Sequence, residues 1–320
     1  MSPARVAVIG ETMLALRSAG QLALNATLTT SIAGAESNVA IGLSRLGHPV
    51  SWIGRVGSDA PGDVVLKALR AEGVDVSGAQ RDSAGTGMIL FDRRLPAVSR
   101  VAYARTGSAG SALSPADIDL DDGVAGVHVS GVTPALSESA GAAVQEAFAQ
   151  ARRRGAWISF DINYRARLWS KERARAVLEP FVRGADVVIA SPDELALFGS
   201  GSGAEAAGTQ DAESVAAELI VAGVREVVVK NGAESAFVVT GSERAEQPAL
   251  RVEEVDPIGA GDGFVAGYLS ALLDGAALDE RLRRAHKVGA FAVSSVGDWE
   301  GLPTRAELDL IGSAGGSVMR

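Results

Sequence analysis

The chain has 320 residues, of which 47% are hydrophobic and 22% are charged. This composition excludes general disorder, and the length is enough to bury a substantial core. The 30 Lys and Arg residues against 39 Asp and Glu residues give a net charge of −9 at pH 7, so we expect no nucleic-acid partner. The absence of cysteine excludes disulfides, thiolate catalysis and Cys-ligated zinc.

Membrane and zinc-protease classes are also disfavoured. The first apolar run, 6–9, is too short for a signal peptide, and no apolar run reaches the roughly 18 residues of a spanning helix. The three histidines form no H-E-x-x-H motif, which excludes that class of metalloprotease. We therefore expect a cytoplasmic protein with no membrane partner.

The first half of the chain mixes core elements with two strand-like insertions. Core elements are predicted as a strand at 6–10, a helix at 38–46, a strand at 51–56 and a helix at 63–72. The insertions are 11–33, which has no helical period, and 85–108, which alternates around a charged turn and predicts a β-hairpin. We expect these two insertions to pair into one small sheet.

From residue 122 onward, strands and helices alternate. Strands are predicted near 127–129, 157–160, 186–189 and 226–229, with helices at 137–154 and 214–222 among those between them. Such alternation predicts a parallel sheet covered on both faces. The expected architecture is an α/β core made of 1–10, 34–84 and 109–320, with a β-sheet lid made of 11–33 and 85–108 over the carboxyl edge of the strands. The small-residue segment 199–208 is expected to be a loop without chemistry.

The segment 255–267 carries the clearest chemical signal. A strand-like stretch at 250–255 runs into a Gly-rich turn and then into a helix through Leu273. Gly259 and Gly261 permit a tight turn whose N–H groups converge at the helix N-terminus and favour an anion. Neither a P-loop nor an early G-x-G-x-x-G is present, although an ordinary helix start is the alternative interpretation. Asp262 in the first turn suits general-base activation of a hydroxyl for phosphoryl transfer.

Two segments resemble the signatures of the ribokinase-like (PfkB) carbohydrate kinases. Segment 256–262, Asp-Pro-Ile-Gly-Ala-Gly-Asp, resembles the C-terminal signature, whose usual form is D-T-x-G-A-G-D. Segment 34–40, Gly-Ala-Glu-Ser-Asn-Val-Ala, resembles the N-terminal signature. With the two β insertions, the resemblance spans essentially the whole chain and implies a ribokinase-like three-layer α/β/α sandwich with a small β-sheet lid.

The resemblance implies transfer of the γ-phosphoryl group of ATP to a sugar hydroxyl. Asp262 is then the catalytic base, the N–H groups of Gly259, Ala260 and Gly261 form the anion hole, and Mg²⁺ neutralises phosphate charge. The residues implied to contact the nucleotide are Asn163, Arg165, Lys230, Gly232, Gly259 and Gly261. Glu194 is implied to act on Mg²⁺ through water. The resemblance leaves open whether a monovalent cation is also used.

Three further segments resemble the 2-keto-3-deoxygluconate kinase branch of the family. They are 103–113, which begins with a Y-x-R pair, 161–169, which reads D-x-N-x-R-x-R-L-W, and 297–304. Guanidinium groups can grip a carboxylate bidentately. This resemblance implies transfer to the C6 hydroxyl of a 2-keto-3-deoxy sugar acid. The residues implied to contact that substrate are Gly34, Asn38, Tyr103, Arg105, Arg167, Asp262 and Asp298.

Three positions depart from the family pattern. Pro257 replaces the usual Thr and removes a backbone donor, Ser191 replaces Asn in the magnesium region, and Ile89 stands where some relatives carry Tyr. Ile89 keeps open a kinase for a neutral sugar such as fructose or ribose, and Pro257 keeps open a non-catalytic sugar-binding regulator. Lid edge strands can pair across subunits, so we expect a homo-oligomer, dimer or larger.

Overall fold

Continuous apolar runs form the central strands of the protein, and alternating stretches form the outer ones. The computed structural model describes residues 5–95, 98–199 and 209–311, so most of the predicted loop 199–208 and the end of the predicted core, 312–320, lie outside the described residues. The strands are β1 (Arg5–Ile9), β2 (Met13–Ser18), β3 (Leu28–Ala33), β4 (Val50–Ile53), β5 (Arg55–Gly57), β6 (Gln80–Asp82), β7 (Met88–Leu95), β8 (Val98–Ala104), β9 (Val124–Ser130), β10 (Trp157–Asp161), β11 (Val187–Ala190), β12 (Glu226–Asn231), β13 (Ser235–Thr240) and β14 (Arg244–Pro248).

Several helices begin at a side chain that caps their first turn. The helices are α1 (Ala35–Arg45), α2 (Ala60–Ala71), α3 (Val132–Leu136), α4 (Glu138–Arg154), α5 (Lys171–Gly184), α6 (Pro192–Leu195), α7 (Thr209–Val221), α8 (Ala260–Leu273) and α9 (Leu278–Val293). For example, the Ser137 side chain accepts a hydrogen bond from the Ala140 amide at the start of α4, and Gly155 ends the helix with a left-handed φ of 69°. None of the helices in the described part of the chain has the length and apolar composition that a membrane span requires.

An eight-stranded sheet lies at the centre of the fold, in the order β14-β13-β12-β11-β10-β9-β1-β4. The six strands from β12 to β4 run parallel. β13 and β14 are antiparallel, so the prediction of a wholly parallel sheet was wrong at this edge. After β12 the chain reverses at Gly232, which has a φ of 55°, and this connection is too short for a crossover helix.

Apolar side chains cover both faces of the central sheet. On one face, Val129 and Phe160 pack with residues of α4 and α5 such as Phe148. On the other face, Val8 packs with residues of α1, α8 and α9 such as Leu269. Helices therefore lie on both sides of the sheet, which confirms the expected three-layer α/β/α class.

A second sheet contains four strands in the order β3-β2-β7-β8. Its strands come from the two predicted insertions, and β2 pairs in parallel with β7, which confirms that these distant stretches meet in one sheet. One face buries Met13, Ile89 and Phe91 and packs against Ile258 of the Gly-rich segment. β3 and β8 are its outer strands, and assembly into an oligomer stays a prediction.

Two predicted strands differ from the structure. The stretch 250–255 is not a strand, because the amides of Val255 and Asp256 donate to the carbonyl oxygen of Val293 at the end of α9 (2.8 and 3.2 Å) rather than to a neighbouring strand. The predicted strand 51–56 is divided at Gly54, where any side chain would overlap the backbone of Gly10. Beyond that glycine, β5 leaves the central sheet and pairs with β6.

Candidate active site

The N-terminus of α8 forms an anion-binding turn. Its N-cap, Gly259, has a φ of 78°, and a side chain there would overlap the carbonyl oxygen of Asp298, so only glycine fits. The Ala260 amide is directed back to the Pro257 carbonyl oxygen over 3.4 Å. The amides of Gly259 and Gly261 donate to no described residue, so two of the three amides predicted for the anion hole are open to a ligand.

Asp262 lies in the first turn of α8 and is 9% exposed. Its Oδ2 accepts a hydrogen bond of 2.7 Å from Nδ2 of Asn38, which α1 presents from the N-terminal signature. Burial raises the pKa of Asp262 to about 7, partly opposed by this hydrogen bond and by Arg165. A carboxyl that titrates near neutrality, beside open amides, can accept a proton from a hydroxyl. Oδ1 of Asn38 is buried without a partner in the described structure, so it can receive a hydroxyl as well.

A buried ion-pair cluster faces the same turn from the ends of β10 and β12. Lys230 Nζ contacts both carboxylate oxygens of Asp161, at 2.9 and 3.1 Å. A Cβ on Gly261 would lie 3.7 Å from Lys230 Nζ, so the ammonium group borders the anion-binding turn. Burial lowers the pKa of Lys230, but the Asp161 and Glu194 carboxylates outweigh it and the pKa is raised, which keeps the side chain charged. The charged Lys230 ammonium group therefore lies beside the turn, with its charge balanced by the Asp161 carboxylate.

Glu194 caps the short helix α6. Its Oε2 accepts from the Ser191 amide and its Oε1 from the Tyr164 amide, each at 2.8 Å, while Ser191 Oγ accepts from the Glu194 amide. Burial raises the pKa of Glu194, with Lys230 opposing that effect. Both oxygens already accept backbone hydrogen bonds, which suits action through a water molecule more than direct ligation. Ser191, a departure from the family pattern, serves here as a helix cap.

The other predicted nucleotide residues lie on loops at the carboxyl ends of β10 and β12. Asn163 is buried with a left-handed φ of 41°, and Arg165 is exposed and donates to no described residue. Its charge nevertheless lowers the pKa values of Asp262 and Glu194, so it lies near both. Gly232 occupies the open turn between β12 and β13, where a Cβ would have no described neighbour within 4 Å.

The predicted sugar residues are not brought together around one free charge. Arg105 makes a buried ion pair with Glu11, which Ser108 Oγ also contacts at 2.6 Å. Arg167 is exposed and donates to the carbonyl oxygen of Val101 at 2.7 Å. Tyr103 is 45% exposed and its ring lies 5.6 Å from the Arg105 guanidinium. The two arginines thus have separate partners in this structure and do not converge as a ready carboxylate clamp.

Gly34 and Asp298 complete the predicted sugar set. Gly34 precedes α1, and a side chain there would overlap the backbone oxygen of Glu11, so the glycine keeps two backbone segments close. Asp298 is buried and ion-paired with Arg17 of the small sheet. Burial raises the pKa of Asp298 to about 7, and Arg17 opposes that rise.

Three charged residues of this region were missed by the sequence analysis. Asp161 could have been found, because it directly follows the predicted strand 157–160 and begins a motif that was already noted. Glu11 and Arg17 lie in an insertion with no motif of its own, and their partners Arg105 and Asp298 are 94 and 281 residues away along the chain. Only the tertiary structure identifies these pairs.

The described residues contain no group of three or more His, Asp or Glu side chains able to hold a metal by themselves. Among the other departures, Pro257 contributes its carbonyl oxygen to the turn, and Ile89 is buried in the small sheet opposite Tyr103.

Comparisons with known proteins agree with this geometry. Residues 3–305 match the pfkB family carbohydrate kinase model. A 2-dehydro-3-deoxygluconokinase of Thermoproteus tenax is 37% identical over 311 residues, covering 94% of this chain and 92% of the relative. The protein of the same name from Bacillus subtilis (strain 168) is 35% identical over 287 residues, covering 88% and 86%.

Solved structures show the same fold. The 2-dehydro-3-deoxygluconokinase of Thermotoga maritima matches with a TM-score of 0.88 and 26% identity, covering 98% of this chain and 99% of that one. An Escherichia coli protein crystallised with ATP and Mg²⁺ matches with a TM-score of 0.85 and 26% identity, covering 96% and 98%. The ribokinase-like fold is therefore confirmed, and the chain belongs to the pfkB family of carbohydrate kinases, as an ATP-dependent enzyme.

Proposed function

We propose that this kinase phosphorylates the C6 hydroxyl of 2-keto-3-deoxygluconate, the sugar acid also called 2-dehydro-3-deoxygluconate, at the expense of ATP. The observation that carries the proposal is the buried Asp262 carboxyl, with a pKa of about 7, one residue beyond the open amide of Gly261. The names of the two curated relatives support the sugar acid as substrate.

The proposed reaction transfers one phosphoryl group and one proton. Asp262 accepts the proton of the C6 hydroxyl while that oxygen forms a bond to the γ-phosphorus of ATP. The bond between the γ-phosphorus and the β–γ bridging oxygen breaks, and its electron pair leaves with ADP. The Gly259 and Gly261 amides stabilise the charge that develops on the phosphate oxygens, and the Lys230 ammonium group adds to this effect.

The residues present fit a nucleotide with Mg²⁺. Two open amides at a helix N-terminus and a half-buried ammonium group suit phosphate oxygens. Mg²⁺ bound with the triphosphate supplies neutralisation of phosphate charge, and it usually keeps several of its waters. Glu194, whose oxygens accept two backbone hydrogen bonds, would orient one of those waters.

A neutral sugar is the second candidate substrate. It is favoured by the ion pair of Arg105 with Glu11, which already neutralises that guanidinium, whereas Arg167 donates one N–H group to a backbone carbonyl. In the proposed function, the other N–H groups of Arg167, which donate to no described residue, hold the carboxylate of the sugar acid.

Release of ADP from Mg-ATP with 2-keto-3-deoxygluconate, gluconate, fructose and ribose separates the two candidates. We expect the keto-deoxy acid to have the highest kcat/KM, and its preference over fructose to fall in an Arg167→Gln variant. Arg173→Gln, an exposed arginine of α5, is the matched control. A neutral sugar that equals the acid in kcat/KM would contradict the assignment, and ³¹P–¹³C couplings of the product would reveal a position other than C6.

A further inference from the structure

An arginine of the small sheet crosses to the Gly-rich segment of the core. Arg17, on β2, is paired in register with Phe91 of β7, and its guanidinium lies 3.9 Å from the centre of the Phe91 ring. From there Nη2 makes an ion pair with Asp298, and Nη1 lies 3.5 Å from Oδ2 of Asp256. The Arg17 side chain is 13% exposed, so this contact is shielded from bulk water.

The two carboxylates that Arg17 contacts flank the anion-binding turn. Oδ1 of Asp256 accepts from the Ile258 amide at 3.2 Å, and its Oδ2 accepts from the Gly297 amide at 3.3 Å. Gly297 precedes Asp298, whose carbonyl oxygen packs directly against Gly259. Asp256 therefore holds the two loops together, and Arg17 closes the cluster from the side of the small sheet.

We infer that Arg17 is a positioning residue that holds the Asp298 carboxylate by one oxygen and leaves its second oxygen free to accept a hydroxyl of the substrate. The inference rests on the proposed function in one respect, the assignment of Asp298 to the sugar. Arg17 occupies Oδ1 of Asp298, and no described residue donates to Oδ2. An ionised carboxylate accepts two hydrogen bonds from hydroxyls and discriminates against a sugar that lacks a hydroxyl at that place.

The charges around Asp298 explain why the ion pair is needed. Burial raises the pKa of Asp298, and two carboxylates raise it further, Glu300 from the same loop and Asp256 from the segment before α8. Among the cations, Arg17 lowers this pKa the most. Because the pKa lies at about 7 with Arg17 in place, loss of that charge leaves the carboxyl protonated at neutral pH.

A titration of the free protein tests this inference without any substrate. The ¹³C carboxyl signal of Asp298, assigned with an Asp298→Asn variant, is followed against pH in wild type, Arg17→Gln and Arg17→Lys. We expect the midpoint to rise by about one to three pH units in Arg17→Gln and to stay near wild type in Arg17→Lys. Arg100→Gln, an exposed arginine of the same sheet on β8, is the matched control and should not move it. An unchanged midpoint in Arg17→Gln would overturn the inference. If Arg17→Gln does not fold, a raised midpoint in Arg17→Lys would overturn the inference instead.

Steady-state kinetics test how Arg17 affects the binding of the sugar. Arg17→Gln should raise the KM of the phosphorylated sugar about tenfold at neutral pH, with little change in kcat or in the KM of ATP. The difference in sugar KM between Arg17→Gln and wild type should become smaller as pH rises, because Asp298 ionises again. In an Asp298→Asn background, Arg17→Gln should have no further effect on KM. A KM increase that is independent of pH would indicate a merely structural role. If wild type phosphorylates no sugar acid, the proposed function fails, whereas the titration still decides the role of Arg17.

Discussion

Replacement of Asp262 by Asn should stabilise the folded protein while it removes the proposed base. The carboxyl is 9% exposed, and its pKa is raised by burial from 3.8 to about 7. Each pH unit of such a shift corresponds to about 1.4 kcal/mol, so a shift of about three units costs the folded state at most roughly 4 kcal/mol. Asparagine removes the ionisable proton and still offers an oxygen to the Asn38 amide.

The direction of the pKa shift of Asp262 determines whether the carboxyl stabilises or destabilises the folded protein. Below the unfolded pKa of 3.8 the carboxyl is protonated in both states and costs nothing. As pH rises the unfolded chain ionises first, so wild type loses stability until pH reaches the folded value of about 7. Relaxation of the site reduces the full cost, so we expect Asp262→Asn to be more stable than wild type by about 2 kcal/mol near neutral pH and above.

Urea unfolding followed by circular dichroism measures this difference. The midpoint should increase in the variant with an unchanged m-value, and the increase should be smaller at about pH 5 than at about pH 8. Asp119→Asn, an exposed carboxyl before β9, is the matched control and should show no such trend. A variant that is less stable than wild type at the higher pH, or a difference that does not depend on pH, would refute the reasoning.

Three further outcomes follow from the site. The kcat/KM of wild type should rise with pH and level off above about 7, because the proposed base Asp262 must be ionised; a flat profile through that range would argue against it. Gly259→Ala should abolish activity, because its Cβ overlaps the Asp298 carbonyl oxygen. Gly275 has a φ of 70°, and a Cβ there would have no neighbour within 4 Å, so the control variant Gly275→Ala should cost only about 1 kcal/mol in thermal stability. Lys230→Met should raise the KM of ATP and destabilise the protein by about 3 kcal/mol, because the buried Asp161 carboxylate loses its cation; an unchanged KM would exclude this lysine from the phosphate site.

Local patterns predicted most of the central sheet and the helix that carries the site. The apolar runs of β1, β9, β10, β11 and β12 and the helix ending at Leu273 are decided within a few residues of sequence, so they were found. The stretch 250–255 was wrongly predicted as a strand, because its donors are satisfied by the distant carbonyl oxygen of Val293. The antiparallel β13 and β14 were not predicted, since a short reversal at Gly232 looks like any other loop start.

The residues of the candidate site were likewise predictable only where they lie close together in the sequence. Asp262 and Gly259 lie in one continuous motif, and the structure shows a buried carboxyl beside a turn that only glycine fits; their catalytic roles stay predictions. The electrostatic partners of the sugar-side residues could not be predicted, because each ion pair joins segments far apart in sequence. Arg105 is a clear example: the sequence favours a free carboxylate clamp, whereas the fold pairs it with Glu11.

The central claim is that Asp262 removes the proton from the sugar hydroxyl. Its most direct test is the rate of ADP release by Asp262→Asn with saturating Mg-ATP and 2-keto-3-deoxygluconate, together with calorimetric binding of the sugar. The account predicts a loss in kcat of roughly a hundredfold to ten-thousandfold, with sugar affinity close to that of wild type. A variant that retains kcat within about tenfold of wild type would show that another group accepts the proton.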